Sequence, residues 1–521
     1  MQIFSCMGAT GYAPKVLPSY CNDDPTKSTI VPLTSAQLSK VKSIKQVEVM
    51  IRHGARTPWG AEPCWVNYDV KWNDCGVTEL MLASPTPYPY DSNKVAEPWL
   101  FRKIYDAFPS ELNGENCYTG QLLSKGYDQE LENGHILRRQ YMENSNPSLN
   151  IFPSANWTEI KENQYFLRSD DEQRTLMSGQ TVLSTLFDVY KQSIVPWHTG
   201  DEAIDQIAPN PTACPALNGV QELSYASPDF LKNNNSAEMN ALTSQLDDIL
   251  GAGYWTWYNV IDCFMTTVCT GREIPANPTT GAVVNDEIFN ATIRSVEYQY
   301  AYNSNYNYSR FAKLGMGNTV YEMRTRLQAA VNNEAGAVKF ALWSAHDTSV
   351  MPFLSAILVR PDGSNAWDGR WAQYASLVTI ELYQAVSGGD LFRLTYNGQP
   401  LLVPGCTDTL CSVTVLLDAM DFAQEQMPCD ALPVPAAAPT APAPSAAGCA
   451  EEVMSSKGWT WLVVMMSLFS FSAGAGAVWW YNRRAAAKQL SDSAQNYSKL
   501  EDSYHAVKHD NTVKSPLNVV K

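Results

Sequence analysis

Residues 459–481 read WTWLVVMMSLFSFSAGAGAVWWY, a run without a single charge. No other feature constrains the chain as much, because this one divides it by solvent. As a helix the run spans roughly 34 Å, enough to cross a bilayer core. Trp459 and Trp461 at one end, with Trp479, Trp480 and Tyr481 at the other, suit the two membrane interfaces. Arg483, Arg484 and Lys488 follow directly, which orients residues 482–521 to the cytosol. The expectation is a single-pass type I membrane protein with one C-terminal transmembrane helix and everything before Trp459 lumenal or extracellular. The first residues, MQIFSCMGATGYAPK, have neither a basic n-region nor an apolar h-region. Export then rests on a start upstream of this Met or on an atypical signal; an inverted topology with a cytosolic large domain is the third option, disfavoured because it places Arg483 and Arg484 on the wrong side.

Ahead of the span lies ALPVPAAAPTAPAPSAAG, residues 431–448. Pro and Ala without periodicity predict a semi-extended stem over residues 431–456. The globular part is then residues 38–430, long enough for a sizeable core. A net charge of -16 argues against nucleic acid as a partner. The twelve cysteines include no Cys-x-x-Cys pair, which argues against a zinc knuckle or a thioredoxin-type site. The spacings Cys64/Cys75, Cys263/Cys269 and Cys406/Cys411 suit local disulfides, which an oxidising lumen permits. Four sequons, at Asn156, Asn234, Asn290 and Asn307, are glycosylation candidates on the same side of the membrane.

Within residues 38–430, strand and helix signals alternate. The apolar, β-branched run at 47–51 and Val338 to Ala345 read as buried strands. Residues 121–142 and 176–190 read as helices. Val378–Ala385 and Leu391–Tyr396, joined by Ser-Gly-Gly-Asp, read as a hairpin. Such alternation predicts an α/β sheet flanked by helices. Residues 190–335 are less regular and more helical, and predict a mostly helical cap over it.

Only six histidines are present, and two of them, His53 and His346, each follow directly on a strand-like run. Functional groups in open α/β sheets gather at the carboxyl ends of strands. His53 is flanked by Arg52 and Arg56, with Gly54 permitting close backbone approach to a ligand. His346 is followed by Asp347, and Arg174 opens a helix-like run. Arginine forks suit phosphate oxygens. Three arginines and a second histidine can enclose a phosphoryl group, leaving His53 to attack phosphorus and Asp347, protonated at acidic pH, to protonate the departing alkoxide.

Arg52-His53-Gly54-Ala55-Arg56-Thr57-Pro58 resembles the Arg-His-Gly-x-Arg-x-Pro signature of the histidine acid phosphatases, and His346-Asp347 resembles their second motif. GQLLSKG at 120–126, RSDDEQRTLMS at 168–178, LGMGNTVYEMRTRL at 314–327 and LLVPGC at 401–406 are similar to further segments of the prostatic and lysosomal members. The resemblance implies a phosphoglycerate-mutase-like sheet with a helical cap and no metal or other cofactor. It implies His53 as nucleophile, Asp347 as proton donor, and Arg52, Arg56, Arg174 and His346 as phosphate ligands. It also implies disulfides Cys214–Cys429 and Cys406–Cys411, and a homodimer as one option. The family's usual partner for Cys263 is missing, so a local Cys263–Cys269 bridge is expected instead. Ala55 stands where animal acid phosphatases commonly carry an acid and phytase-like members carry Ala.

In the tail, Tyr497-Ser-Lys-Leu500 fits a tyrosine sorting signal read by adaptors, and Tyr504-His-Ala-Val507 fits a second. The expected function is a membrane-anchored acid phosphatase acting on phosphomonoesters in an endosomal or lysosomal lumen, or at the cell surface. A narrower phytase or sugar-phosphate phosphatase is the alternative within the same chemistry. An inactive relative serving as a phospholigand or trafficking receptor is the alternative outside it.

Overall fold

The computed structural model describes residues 11–59, 64–68, 70–82, 100–102, 117–188, 195–423 and 429. The chain divides into two units, Met1–Val434 and Pro435–Lys521, and every described residue belongs to the first. The expected stem, the transmembrane helix at 459–481 and the tail with Tyr497 and Leu500 lie outside the described residues. So do Cys6 and Cys449. Among the described residues no helix is long and apolar enough to cross a membrane.

The elements that build the site are, in chain order, β1 (Val41–Arg52), α1 (Ser124–Tyr141), β2 (Tyr165–Ser169), α2 (Gln173–Leu186), α3 (Ala216–Tyr225), α4 (Pro228–Asn234), α5 (Ala237–Leu246), α6 (Val260–Cys269), α7 (Asp286–Val331), β3 (Phe340–Ala345), α8 (Asp347–Ile357), β4 (Leu377–Ala385), β5 (Asp390–Tyr396), β6 (Gln399–Leu401) and β7 (Cys411–Ser412). The strands form one seven-stranded sheet ordered β2-β3-β1-β4-β5-β6, with β7 beside β5. β2, β3 and β1 run parallel, while β4 to β7 add antiparallel pairs. The β4/β5 hairpin turns at Gly388 and Gly389, whose φ values of 88° and 78° favour glycine.

Alternation along the parallel strands sends side chains to two cores. Val47, Val49 and Ile51 of β1, with Phe340 and Leu342 of β3, pack on Ile136, Leu137 and Tyr141 of α1 and Val182 of α2. Met50, Trp343 and Ala345 face the other way, onto Met316, Val320 and Met323 of α7 and Val350, Phe353 and Leu354 of α8. Each buried Val, Leu, Ile, Phe or Met among them contributes about 1.5–3 kcal/mol. Burial on both faces explains why these strands read as continuous apolar runs. α7 is broken at Tyr306–Ser309, where Asn307, Tyr308 and Ser309 take positive φ. The segment between α2 and β3 carries α3 to α7. α5 and α6 pack with the first part of α7 into a third core that also takes in Tyr20, Ala55, Cys64 and Tyr374.

Among the described residues, five disulfides tie this unit. Cys214 is joined to Cys429 and Cys406 to Cys411. The expected Cys263–Cys269 bridge is not formed. Both residues lie on α6, where six residues of helix turn their side chains to different faces and separate them along the axis, too far to bridge. Cys263 instead joins Cys64, and Cys269 joins Cys21. The local Cys64/Cys75 pairing suggested by spacing gives way likewise: Cys75 joins Cys117 in a small cluster with Trp72 and Leu123. Of the four sequon residues, Asn290 and Asn307 are exposed. Asn156 and Asn234 are half-buried, and Asn156 caps a short turn through Thr158.

Candidate active site

Parallel pairing aligns three strand ends. Arg52 pairs with Ala345 across β1/β3, and Ser169 pairs with Ser344 across β2/β3. The residues that follow, His53, His346-Asp347 and Asp170, therefore emerge side by side at one edge of the sheet. α2 brings in Arg174 and α8 begins at Asp347. Gly54 earns its place through backbone contact. A Cβ there would lie 2.5 Å from the Cα of Gly126 in the first turn of α1. The close approach that this glycine permits in the fold is to α1.

His53 is buried, at 1 % exposure. Its Nδ1 lies 2.8 Å from the Gly54 carbonyl oxygen, so Nδ1 carries the proton and donates it. Nε2 is left with a free lone pair. Burial, reinforced by Arg174, Arg52 and Arg56, holds His53 well below the ordinary imidazole range. It stays neutral, and so nucleophilic, in acid. The His346 ring stands edge-on to it at 5.6 Å. His346 Nε2 is paired with Asp170 Oδ2, and Asp170 also accepts from the Thr175 hydroxyl. Burial pushes Asp170 up, but His346, Thr175 and Arg174 together outweigh it and hold the carboxyl below its usual range.

The arginines are each held by an acid. Arg56 Nη1 meets Asp262 Oδ1 at 2.8 Å, and Arg174 pairs with Glu172. Arg52 Nη2 meets Asp347 Oδ2 at 2.8 Å, and its Nη1 donates to the Ala372 carbonyl oxygen at 2.6 Å. Yet the Nε–H of Arg52, Arg56 and Arg174 is buried in each case, without a hydrogen-bond partner among the described residues. Orphaned buried donors are costly. Those of Arg56 and Arg174, the two arginines that line the cavity, fit an anion acceptor. Arg52 has no exposure at all and does not line the cavity, so its link to the open site runs through Asp347.

Asp347 Oδ2 also accepts from Trp371 Nε1 at 2.8 Å. Burial raises its carboxyl, but Arg52, Arg56 and the Trp371 hydrogen bond outweigh burial and hold it below the usual carboxylate range. The sequence expectation of an Asp347 protonated at acidic pH meets an environment that favours its ionised form. The arginines keep it ionised until another negative charge enters.

These groups open into a cavity of about 1180 Å3. His53, Arg56, Arg174, His346 and Asp347 all line it. Its other walls are largely aromatic and apolar, including Tyr225, Trp257, Tyr300, Trp371, Ile207 and Val296. Trp59 and Tyr258 stand edge to face at 6.2 Å and are 48 % and 72 % exposed. Beyond Arg56 and Arg174, no further cationic side chain lines the cavity among the described residues. Ala55 is fully buried and gives its N–H to Gln129 Oε1, so it does not reach the cavity.

Several site residues escaped the sequence reading. Asp170 and Glu172 lie inside RSDDEQR, where acids flanking a needed arginine were a usable signal. Asp262, Trp371, Tyr20 and Tyr374 carried none. They are distant in sequence from both motifs and meet them only in the fold. Asp170, Glu172 and His346 also bring ligand-type atoms within 4.8 Å of one another, but Asp170 is already paired with His346 and Glu172 with Arg174.

A family model described as the histidine phosphatase superfamily (branch 2) matches residues 43–397, which include all six residues of the cluster. The chain is similar to Counting factor 60 of Dictyostelium discoideum, 28% identical over 385 residues, 71% of this chain and 84% of that protein. It is similar to lysophosphatidic acid phosphatase type 6 of Homo sapiens, 24% identical over 402 residues, 72% of this chain and 82% of that protein. It is also similar to the lysosomal acid phosphatase of Xenopus laevis, 24% identical over 328 residues, 58% of this chain and 70% of that protein. With a match over most of the globular unit and the two motif histidines meeting at one sheet edge, the chain belongs to branch 2 of the histidine phosphatase superfamily.

Proposed function

We propose that the protein hydrolyses phosphate monoesters through a phosphohistidine on His53. The observation that carries this reading is one cavity in which a neutral, buried His53, Arg56, Arg174, His346 and Asp347 converge. His53 Nε2 attacks phosphorus as the P–O bond to the alcohol breaks. Arg56, Arg174 and His346 spread charge over the phosphoryl oxygens, with Arg52 acting from behind Asp347. Water then attacks the phosphohistidine and releases inorganic phosphate.

The proton for the leaving alkoxide needs a source, because Asp347 is ionised in the free site. Phosphate monoesters keep one proton below about pH 6. A phosphoryl group drawn in beside Asp347 competes for the same arginines and raises its affinity for a proton. That proton passes from the substrate to Asp347 and on to the alcohol. Acidic pH then matters through the one proton that substrate and Asp347 share in the bound state.

The alcohol portion faces aromatic and apolar walls with few cations, which suits a monophosphate of an amphipathic or aryl alcohol and leaves a polyphosphate without counter-charges. The phytase alternative loses support on that ground, and because Ala55 does not reach the cavity. A relative named for lysophosphatidic acid is in keeping with this preference. Five disulfides favour an oxidising lumen. We read residues 459–481 as the anchor, Tyr497 and Leu500 as an endosomal–lysosomal address, and the catalytic unit as lumenal.

The test is hydrolysis of an aryl phosphate, a lysophosphatidate and an inositol polyphosphate across pH. Turnover of the first two, lost in His53→Ala, is expected. Asp347→Asn should slow poor leaving groups more than good ones. A folded wild-type protein that binds phosphate but hydrolyses none of the three would make it a receptor.

A further inference from the structure

We propose that Ser19–Asn22, which precedes the region covered by the family model, is a working part of this catalytic centre, with Tyr20 the positioning residue for Arg52 and the Cys21–Cys269 disulfide its clasp.

Four contacts carry the proposal. First, the Tyr20 hydroxyl accepts from Arg52 Nη2 at 2.6 Å, from the same nitrogen that meets Asp347. Second, the Arg52 guanidinium lies 4.6 Å from the Tyr20 ring centre and 4.3 Å from that of Tyr374, two rings that meet edge-on at 4.9 Å. Cation–π contact with two rings set edge-on to each other confines the guanidinium from two directions. Third, the segment is tied to the strand-end backbone. Tyr374 N–H donates to the Tyr20 carbonyl oxygen at 3.0 Å, Asn22 Nδ2 donates to the Tyr374 carbonyl oxygen at 2.8 Å, and the next residue, Ala375, donates its N–H to the His53 carbonyl oxygen at 3.1 Å. Gln129 links it to the signature loop as well, donating Nε2 to the Cys21 and Asn22 carbonyl oxygens while its Oε1 accepts from Ala55 N–H. Fourth, Cys21 is bonded to Cys269 on α6, the helix that also holds Arg56 through Asp262.

The consequence is chemical as well as mechanical. Arg52 Nη2 divides its two hydrogens between Tyr20 and Asp347, and the Tyr20 hydroxyl fixes the direction of both. Tyr20 is buried, at 5 % exposure, and also lines the cavity. Without its hydroxyl, Arg52 turns wholly to Asp347 and keeps it ionised more firmly, which hinders proton donation. The clasp adds a condition: the segment stays in register with the catalytic loop only while the Cys21–Cys269 bond is closed.

This inference rests on the phosphatase reading, and the experiment separates the two. Tyr20→Phe removes one oxygen and keeps the ring. It is expected to lower kcat on an aryl phosphate by about tenfold with a smaller change in KM, in a protein that still unfolds cooperatively, at a melting temperature a few degrees lower at most. It should also move the alkaline limb of the kcat profile to lower pH, because Asp347 must be protonated to act. The paired variant Cys21→Ser/Cys269→Ser, held by the other four disulfides, should move kcat and the pH limb in the same direction. A folded Tyr20→Phe with wild-type kcat, KM and pH profile overturns the role of Tyr20. A folded paired variant with wild-type kinetics overturns the clasp, and if that variant fails to fold, Tyr20→Phe still decides. Should the wild-type protein prove inert, the phosphatase reading fails by itself. Calorimetric binding of inorganic phosphate then reads the segment: weaker binding in Tyr20→Phe supports it, and equal binding overturns it.

Discussion

At the level of single residues, the site is a set of charges each held by a neighbour. His53 is the exception that matters, because it is kept uncharged by burial and three arginines. Its low proton affinity sets where activity fails in acid. A cation removed from beside it must let it take up a proton more readily. Arg174→Gln should therefore shift the acid limb of the kcat/KM profile to higher pH as well as lowering its maximum, and a pH–rate series measures both. An acid limb that stays put would mean that burial alone keeps His53 neutral. The sequence reading found His53, His346, Asp347 and the arginines because their spacing is local. It could not see that Arg52 is enclosed by Tyr20 and Tyr374, since that enclosure joins residues 32 and more than 300 positions apart.

At the level of elements, β1 leads directly into His53, the proposed nucleophile, and holds an ionisable side chain within its buried stretch. Glu48 is 2 % exposed and accepts from Trp343 Nε1 at 2.8 Å. Burial, which outweighs the attraction of Arg326, raises its pKa from 4.5 to about 7. A group whose folded value is raised contributes its full stability below the unfolded value and loses it as pH climbs to the folded one. The protein should thus lose on the order of 3 kcal/mol between about pH 4.5 and 7 from this group alone. Glu48→Gln can keep the Trp343 hydrogen bond and should flatten that decline, as read by denaturant unfolding at the two pH values. A variant that loses stability as steeply as wild type would show that Glu48 is already ionised in the folded state. Strands and helices around the site were legible because two-sided burial writes continuous apolar runs. The α6 helix was legible only as part of a helical region, and its disulfides were not. A spacing of six suggested a local bridge, and helix geometry forbade it.

At the level of the whole molecule, the proposed layout is a disulfide-bonded catalytic unit on a stem before a membrane anchor. In cells, the full chain should remain with membranes through an alkaline carbonate wash. A chain ended before residue 431 should be released while keeping its aryl phosphatase activity. Release of the full chain by the wash would remove the anchor from the proposal.

The chain's own order of residues determined which side chains could do chemistry. Two histidines after apolar strands, a run of arginines and a paired aspartate are short-range patterns, and short-range patterns survive without coordinates. The parallel register that sets three strand ends level was decided only by the fold. So were the acids that restrain each arginine, the aromatic walls of the cavity and the partners of Cys21, Cys64, Cys75, Cys263 and Cys269. These are contacts between segments tens to hundreds of residues apart. They depend on how apolar faces bury together, and no local spacing encodes that.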